Sequence, residues 1–349
     1  MHELREYKGV LHVHTAYSDS SGRMPYVIEC ARTNQLDFVV VSDHNTLEAR
    51  REGWEGWHQG VLLLVGIEVT STQGHSMVLG LDQYRTHWRT AHPDAYLPEV
   101  ARLGGTAFIA HPERSNRGKL YRRRQAWPNL ATQHYAGIEI WSYVHDFVEW
   151  AYPWHLLSAI RDPDSGIAGP HPAVLRNWDH EAERRHVAGI GALDAHEYRF
   201  PIPKFRWAML RLLPLDYLFG TVRTHVLMPP LTGHGAADAP ALTAALAAGR
   251  SFTAYDFIAD ATGTQFTAQR GSELALMGDE LTAGGELEFV VRLPQQAEIS
   301  LVRDAQPVAR ATAHQLIHHD ARPGVYRAEA RLRNRPWIYT NHIYIRPPR

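Results

Sequence analysis

Residues 10–19 read VLHVHTAYSD. The apolar lead of Val10, Leu11 and Val13 into a polar turn predicts the end of a buried strand, and on a strand residues i and i+2 share a face. His12 and His14 therefore stand side by side. Two neutral imidazoles on one wall can hold a metal, but a pair of ordinary strand histidines reads the same way. The segments around them decide.

Further short apolar runs lie at 38–44 (FVVVSDH), 61–68 (VLLLVGIE), 75–81 (HSMVLGL), 106–111 (TAFIAH), 137–141 (GIEIW) and 187–196 (VAGIGALDAH), most of them ending in a histidine or a carboxylate. Continuous apolar runs of this kind suit strands buried on both faces of a parallel sheet. Helices are expected between them at 24–34, 46–57, 94–103, 150–161 and 173–185. Strand alternating with helix predicts an α/β fold of βα units, either a barrel or a doubly wound sheet. In a barrel the polar strand ends gather at one rim, where catalytic loops sit.

Beyond Asp256 the texture changes. An Ala-rich helix at 237–248 and a strand at 251–257 precede alternating segments at 287–293, 298–303, 324–332 and 337–345, with Gly284-Gly285 and Arg322-Pro323-Gly324 as turns between them. This is the pattern of a small β-sandwich. The expected organisation is a barrel over 1–258 and a C-terminal sandwich over 259–349. Segment 203–219 (PKFRWAMLRLLPLDYLF) is read as a lid or as the contact of a homo-oligomer.

With 349 residues, 36 Lys+Arg against 37 Asp+Glu and a net charge of −1, the chain exerts no global pull on nucleic acid or anionic membrane. Cys30 is the only cysteine, which excludes an intrachain disulfide and a thiolate-rich metal site. No stretch approaches the roughly 18 apolar residues of a membrane span. MHELREYKGV lacks the pattern of a secretory leader, so a cytoplasmic protein is expected. The 22 histidines are the unusual count.

Collecting the strand ends gives His12, His14, Asp19, His44, Glu68, His111, Glu139, Asp194 and His196. Nitrogen and oxygen donors without sulfur suit Zn, Mn or Fe. Nine donors exceed the needs of one ion and match two or three ions that share bridging carboxylates. Asp43, beside His44, is a candidate for orienting a ligand imidazole. His75, just after the Glu68 run, is a candidate for protonating a leaving alcohol or contacting substrate. Arg114 and Arg117, after His111, could grip a phosphate from the rim. The other histidines are read as surface or loop residues, with His145 and His225 set apart because they follow or lie within barrel segments.

The ordered motifs His12-x-His14 with Asp19, Ser42-Asp43-His44, Gly66-Ile67-Glu68, Ala110-His111-Pro112 and Asp194-Ala195-His196 resemble the PHP family, named for polymerase and histidinol phosphatase domains. The resemblance spans roughly residues 7–198. It implies a distorted, TIM-like (β/α)7 barrel with two or three divalent cations. It also implies a ligand set: His12, His14, Glu68 and Asp194 on a first ion, Glu68, His111 and Glu139 on a second, and Asp19, His44 and His196 on a third. Asp19 and Glu139 depart from the all-histidine version of the family and harden the site toward Mn or Fe. The sandwich, with GVYRAE and WIYTNHIYI, is similar to the branch that includes a carbaryl-type carbamate hydrolase.

The expected activity is phosphoester hydrolysis on a small phosphorylated molecule, with Glu68, Asp194 and His75 as the catalytic residues. Attack would come from a metal-bridged hydroxide, the cations lowering the pKa of water from 15.7 toward roughly 7–9. Hydrolysis of a carboxylic ester or carbamate on the same centre is the alternative. An amidohydrolase and a non-catalytic accessory PHP module stand behind both.

Overall fold

The computed structural model describes residues 4–112, 127, 132–151, 155–202 and 205–348. The apolar runs become strands, and the strands form a mixed α/β fold with two principal sheets. In the first, Arg5–Val13 pairs in parallel with Phe38–Val41, which pairs in parallel with Val61–Val65. On its other side Arg5–Val13 runs antiparallel to Val222–Met228. The second sheet is Ile67–Ser71, Gly74–Leu79, Thr106–Ile109, Gly137–Ser142 and Ala188–Ala192. Phe38–Val41 and Val61–Val65 are buried at every position, as their unbroken apolar composition requires. Helices Met24–Thr33, Pro93–Arg102 and Pro172–Arg184 lie close to where their patterns place them.

The distorted (β/α)7 barrel that the resemblance implies is present only as mixed α/β sheets that do not close on each other through continuous strand pairing. Among the described residues the isolated β-bridges between the two sheets are Val13 with Ala195 and His44 with Glu68, and the Gly191 N–H also donates to Thr224 Oγ1 at 3.0 Å. One cause lies at Gly66, where the run 61–68 breaks and passes from one sheet to the other. A Cβ there would sit 2.6 Å from the Val78 carbonyl oxygen and 2.5 Å from Leu79 Cδ2, so only glycine allows the crossing. A second cause is that Ile67–Ser71 and Gly74–Leu79 form an antiparallel hairpin, which interrupts the βα alternation.

Other boundaries also move. The helix expected at 46–57 is one turn, Glu48–Arg51, because Gly53 (φ 81°) and Gly56 (φ 130°) carry the chain into strand Gly56–His58. The helix expected at 150–161 appears as Tyr143–Ala151 and Leu156–Arg161. The strands expected at 287–293 and 298–303 are one, Leu287–Arg303, with an irregularity between Arg292 and Ala297 accommodating Pro294. Segment 203–219 lies partly outside the described residues; its surroundings form the hairpin Tyr198–Ile202 with Phe205–Leu212, then the turn Leu215–Leu218.

The C-terminal strands continue the first sheet across the boundary expected at 258. Ser251–Tyr255 pairs with Val222–Met228 on one side and Arg335–Thr340 on the other. Their own apolar cluster, with Phe266, Phe289, Leu301, Tyr326 and Trp337, packs away from the two-sheet core. Asn341 ties the parts together: it accepts the Gly189 N–H at 2.7 Å and donates to the Gly189 and Ser251 carbonyls at 2.8 Å.

On the side of the first sheet away from the strand ends, His225 is buried between two carboxylates. Nδ1 lies 2.7 Å from Glu6 Oε1 and Nε2 3.1 Å from Asp256 Oδ2. Burial disfavours its charge, but Asp256 and Glu6 outweigh that and lift its pKa to about 9. A raised pKa means stabilisation that is complete below about 6.5 and lost as pH rises through about 9. Wild type should therefore exceed His225→Gln in stability by on the order of 3 kcal/mol near pH 6.5, with the gap closing by pH 9.5. Urea titrations at both pH values measure this, and a pH-independent gap contradicts it.

Candidate metal centre

The two seams between the sheets are where the strand-end donors converge. At the first, the His14 N–H donates to the Ala195 carbonyl and the Ala195 N–H to the His12 carbonyl, both at 3.0 Å. This sets His12-x-His14 against Asp194 and His196. At the second, the Glu68 N–H lies 3.2 Å from the Ser42 and Asp43 carbonyls, which brings His44 to Glu68. His12 (φ 64°), His111 (φ 27°) and Asp194 (φ 53°) all adopt left-handed backbone. Non-glycine residues rarely do so, and such strain clusters at functional sites.

Two fully buried carboxylates organise the imidazoles. Glu68 Oε2 faces His12 Nε2 and His14 Nε2, each at 3.4 Å, and His44 Nδ1 at 2.7 Å. Its Oε1 faces His75 Nδ1 at 2.7 Å and His111 Nε2 at 3.0 Å. Asp194 divides in the same way: Oδ1 lies 3.4 Å from His12 Nε2 and 3.3 Å from His14 Nε2, while Oδ2 lies 3.0 Å from His145 Nε2. Asp19, half exposed, closes the outer side, with Oδ1 3.1 Å from His196 Nε2 and Oδ2 3.5 Å from His44 Nε2.

The electrostatics follow from this crowding. Burial, then the neighbouring His196, takes His14 down to about 3. Burial and the neighbouring His145 take His111 down to about 4. Both are neutral at pH 7, as metal ligands must be. Burial opposes charge on His44, but Asp19 and Glu68 lift it to about 10. His12 is raised too, where Glu139, Glu68 and Asp194 overcome burial. Burial alone would raise Glu68, yet His12, His75 and His111 hold it well below the usual carboxylate range.

The donor set fits divalent cations. His12 Nε2 and both ring nitrogens of His14 are buried without a hydrogen-bond partner, although carboxylate oxygens lie 3.3–3.4 Å away from their Nε2 atoms. Buried polar atoms rarely stay unpaired, and a cation between nitrogen and oxygen would satisfy both. One donor from each of His12, His14, Glu68 and Asp194 lies within 4.8 Å of the others, as does one from each of His14, Asp19, His44 and His196. Further groups of this kind are Glu68 with His75 and His111, and His111 with His145 and Asp194.

Some sequence-derived roles meet a different geometry. Among the described residues Asp43 hydrogen-bonds no imidazole; it accepts from the Thr15 N–H (2.8 Å), Thr15 Oγ1 (2.7 Å) and Ser18 Oγ (2.6 Å), and so braces the loop after His14. Glu139 takes the orienting position instead, with Oε1 2.6 Å from His12 Nδ1 and Oε2 accepting the His111 N–H at 2.8 Å. His145 reaches the centre although the motif reading left it outside; its place just beyond a strand end was the available signal. Arg114 and Arg117 lie outside the described residues. A cleft of about 840 Å³ runs from His111, Glu139 and His145 toward Arg327 and Arg331 of the C-terminal strands.

No family model matches the chain, and no curated protein matches it. Among solved structures it is similar to a two-domain protein from Bacteroides vulgatus containing a predicted PHP-like metal-dependent phosphoesterase. The two are 15% identical with a TM-score of 0.45, over 97% of this chain and 95% of that one. Endonuclease Q, bound to a duplex with an abasic lesion, is 14% identical with a TM-score of 0.33, over 40% of this chain and 43% of that one. An amidohydrolase from Chromobacterium violaceum is 15% identical with a TM-score of 0.30, over 59% of this chain and 92% of that one. These likenesses are distant, and the chemistry of the centre rests on the chain's own residues.

Proposed function

We propose that the chain is a PHP-type, metal-dependent hydrolase of small phosphoesters. The observation that carries the reading is the division of Glu68 and Asp194, each with one oxygen toward His12 and His14 and the other toward the opposite side of the centre. Carboxylates shared in this way let neighbouring cations use common ligands. His12, His14, Glu68 and Asp194 would hold one ion, and Asp19, His44 and His196 another. Glu68 and His111 supply donors to a further ion, with Zn, Mn or Fe suited to the mixed nitrogen and oxygen set. When bound, such ions supply Lewis acidity toward a phosphoryl oxygen and acidify water.

The chain's own groups do the remaining work. His14 and His111, neutral at pH 7, present lone pairs without first losing a proton. Glu139 fixes the ring of His12 through Nδ1, which turns Nε2 inward. His75, with Nδ1 on Glu68, borders an open hollow lined also by Thr70, Thr72 and Arg89. Its role is to hand a proton to the leaving oxygen as that group departs toward solvent.

The test is a panel of aryl phosphates, bis-aryl phosphates, aryl carbamates and aryl carboxylic esters offered to metal-reconstituted protein. The expected result is turnover of phosphate esters, lost on treatment with excess chelator and restored by Mn, Zn or Fe. Turnover of carbamates or carboxylic esters alone would replace the substrate class. Tight metal binding with no turnover on the whole panel would favour an accessory role.

A further inference from the structure

We infer that the hollow beside His75 is a subsite for an anionic substituent, phosphate or carboxylate, on the leaving group, with Arg89 as the residue that selects it. The inference rests on the phosphoester reading above and deepens it by naming a second charge on the substrate. The hollow, about 620 Å³ and open to solvent, shares two residues with the metal centre. Thr70 Oγ1 lies 2.8 Å from His44 Nδ1, and His75 Nδ1 lies 2.7 Å from Glu68 Oε1. A group that leaves the centre past these two side chains enters the hollow. Its lining offers Arg89, His75 and otherwise hydroxyl residues only, among them Thr70, Thr72, Thr86 and Thr90. No carboxylate lines it among the described residues.

Hydroxyls, imidazole and guanidinium can all donate hydrogen bonds, and the guanidinium adds a permanent positive charge. Such groups hold phosphate and carboxylate oxygens, an arginine with two parallel N–H bonds. Among the described residues Arg89 has no ion pair, so no protein carboxylate competes with a ligand for it. The larger cleft on the His111 side differs, because Glu139, Asp146, Glu149 and Glu329 stand among its arginines and it presents both signs of charge. The hollow is also built before a ligand arrives. Arg89 ends the short turn Thr86–Arg89, and its carbonyl accepts the Thr72 N–H at 3.0 Å. Ser71 Oγ donates to the Ala91 carbonyl at 2.6 Å. Trp88, fully buried, donates from Nε1 to Glu99 Oε2 at 2.7 Å and anchors the turn in the core. These three ties fix the backbone that carries both walls, so a ligand has little more to order than the Arg89 side chain.

The experiment compares 3- and 4-carboxyphenyl phosphate, and the corresponding phenylene bisphosphates, with the neutral carbamoylphenyl phosphates on metal-reconstituted, full-length protein. Wild type is expected to prefer the doubly anionic substrates through KM by about tenfold, the effect of one charge-assisted hydrogen bond in a solvated site. The anion that gains more tells phosphate from carboxylate. Arg89→Met is expected to bring the preference ratio close to one, and Arg89→Lys to restore part of it. Arg85→Met, which removes an exposed charge just before the same turn and outside the lining, should keep the wild-type ratio. No preference in wild type, a preference that survives Arg89→Met, or an equal loss in Arg85→Met overturns the inference. A second readout needs no turnover: calorimetric titration with 3- and 4-hydroxybenzoate and with the matching hydroxybenzamides. Binding of the benzoates alone, lost in Arg89→Met, supports the subsite; equal binding of both classes, or of neither at millimolar concentration, counts against it. Protein that hydrolyses no phosphate yet binds the benzoates through Arg89 keeps the subsite and removes the phosphoester reading. Phosphate turnover without the preference does the reverse. Thermal melts separate misfolding of a variant from loss of the subsite.

Discussion

Glu68→Gln is expected to lower phosphoester hydrolysis by about 10³-fold or more and to strip metal from the centre. One carboxylate there faces five imidazoles: His12, His14 and His44 through Oε2, and His75 and His111 through Oε1. Glutamine keeps the shape but removes the negative charge, and it replaces one acceptor oxygen with an NH₂ donor pointed at imidazole nitrogens. A site whose metal ligand is lost forfeits several kcal/mol of transition-state stabilisation, which is the origin of the rate estimate. Elemental analysis together with turnover on an aryl phosphate tests this. A variant with wild-type metal content and activity within tenfold of wild type would refute the central place given to Glu68. Glu68 sits at a seam rather than in an apolar layer, so the circular dichroism of the variant should match wild type.

Arg327→Met is the second large effect, and it falls on stability. Arg327 and Asp179 are 3% and 1% exposed in their side chains. They are joined by two hydrogen bonds, Nε to Oδ1 at 2.6 Å and Nη2 to Oδ2 at 2.9 Å. His342 adds a third contact to Asp179 Oδ1 at 2.7 Å, and Glu329 contacts Arg327. The pair links helix Pro172–Arg184 to strand Gly324–Leu332, so it fastens the α/β part to the C-terminal strands. Burial works against the Asp179 charge, but Arg327 and His342 hold its carboxyl at about 2. Removing the guanidinium leaves a buried carboxylate with too little compensation, a change that costs about 3–5 kcal/mol. Urea titration at pH 7 measures it. The double variant Arg327→Met with Asp179→Leu should recover part of the loss, because exchanging both charges for apolar groups is far less costly than exposing one. Equal stability of Arg327→Met and wild type would contradict the role given to the pair.

Much of the centre was legible because its code is local. His12-x-His14 needs only the two-residue period of a strand, and the chain order of the histidines and carboxylates needs no coordinates at all. The parallel pairing of the first three buried strands likewise follows from their unbroken apolar runs. Other features depended on events that a linear pattern does not carry. Gly66 looked like one residue inside a long strand, yet the approach of Val78 and Leu79 turns it into the crossing point between sheets. Asp43 looked suited to bracing an imidazole, and the loop after His14 claims both of its oxygens.

The same division separates Glu139 from His145. Glu139 lies within strand Gly137–Ser142 and His145 six positions on, in the first turn of helix Tyr143–Ala151, and the motif reading took the carboxylate as the donor. The fold turns the Glu139 oxygens to His12 Nδ1 and the His111 N–H, and brings His145 Nε2 to 3.0 Å from Asp194 Oδ2. By itself, the order of residues marked candidate donors and the strands that carry them, since i and i+2 periodicity is a property of any extended backbone. Only the tertiary structure decided which of their atoms face one another. Left-handed residues, a bulge and two bridges between sheets set those directions, and each depends on contacts between segments far apart in the chain.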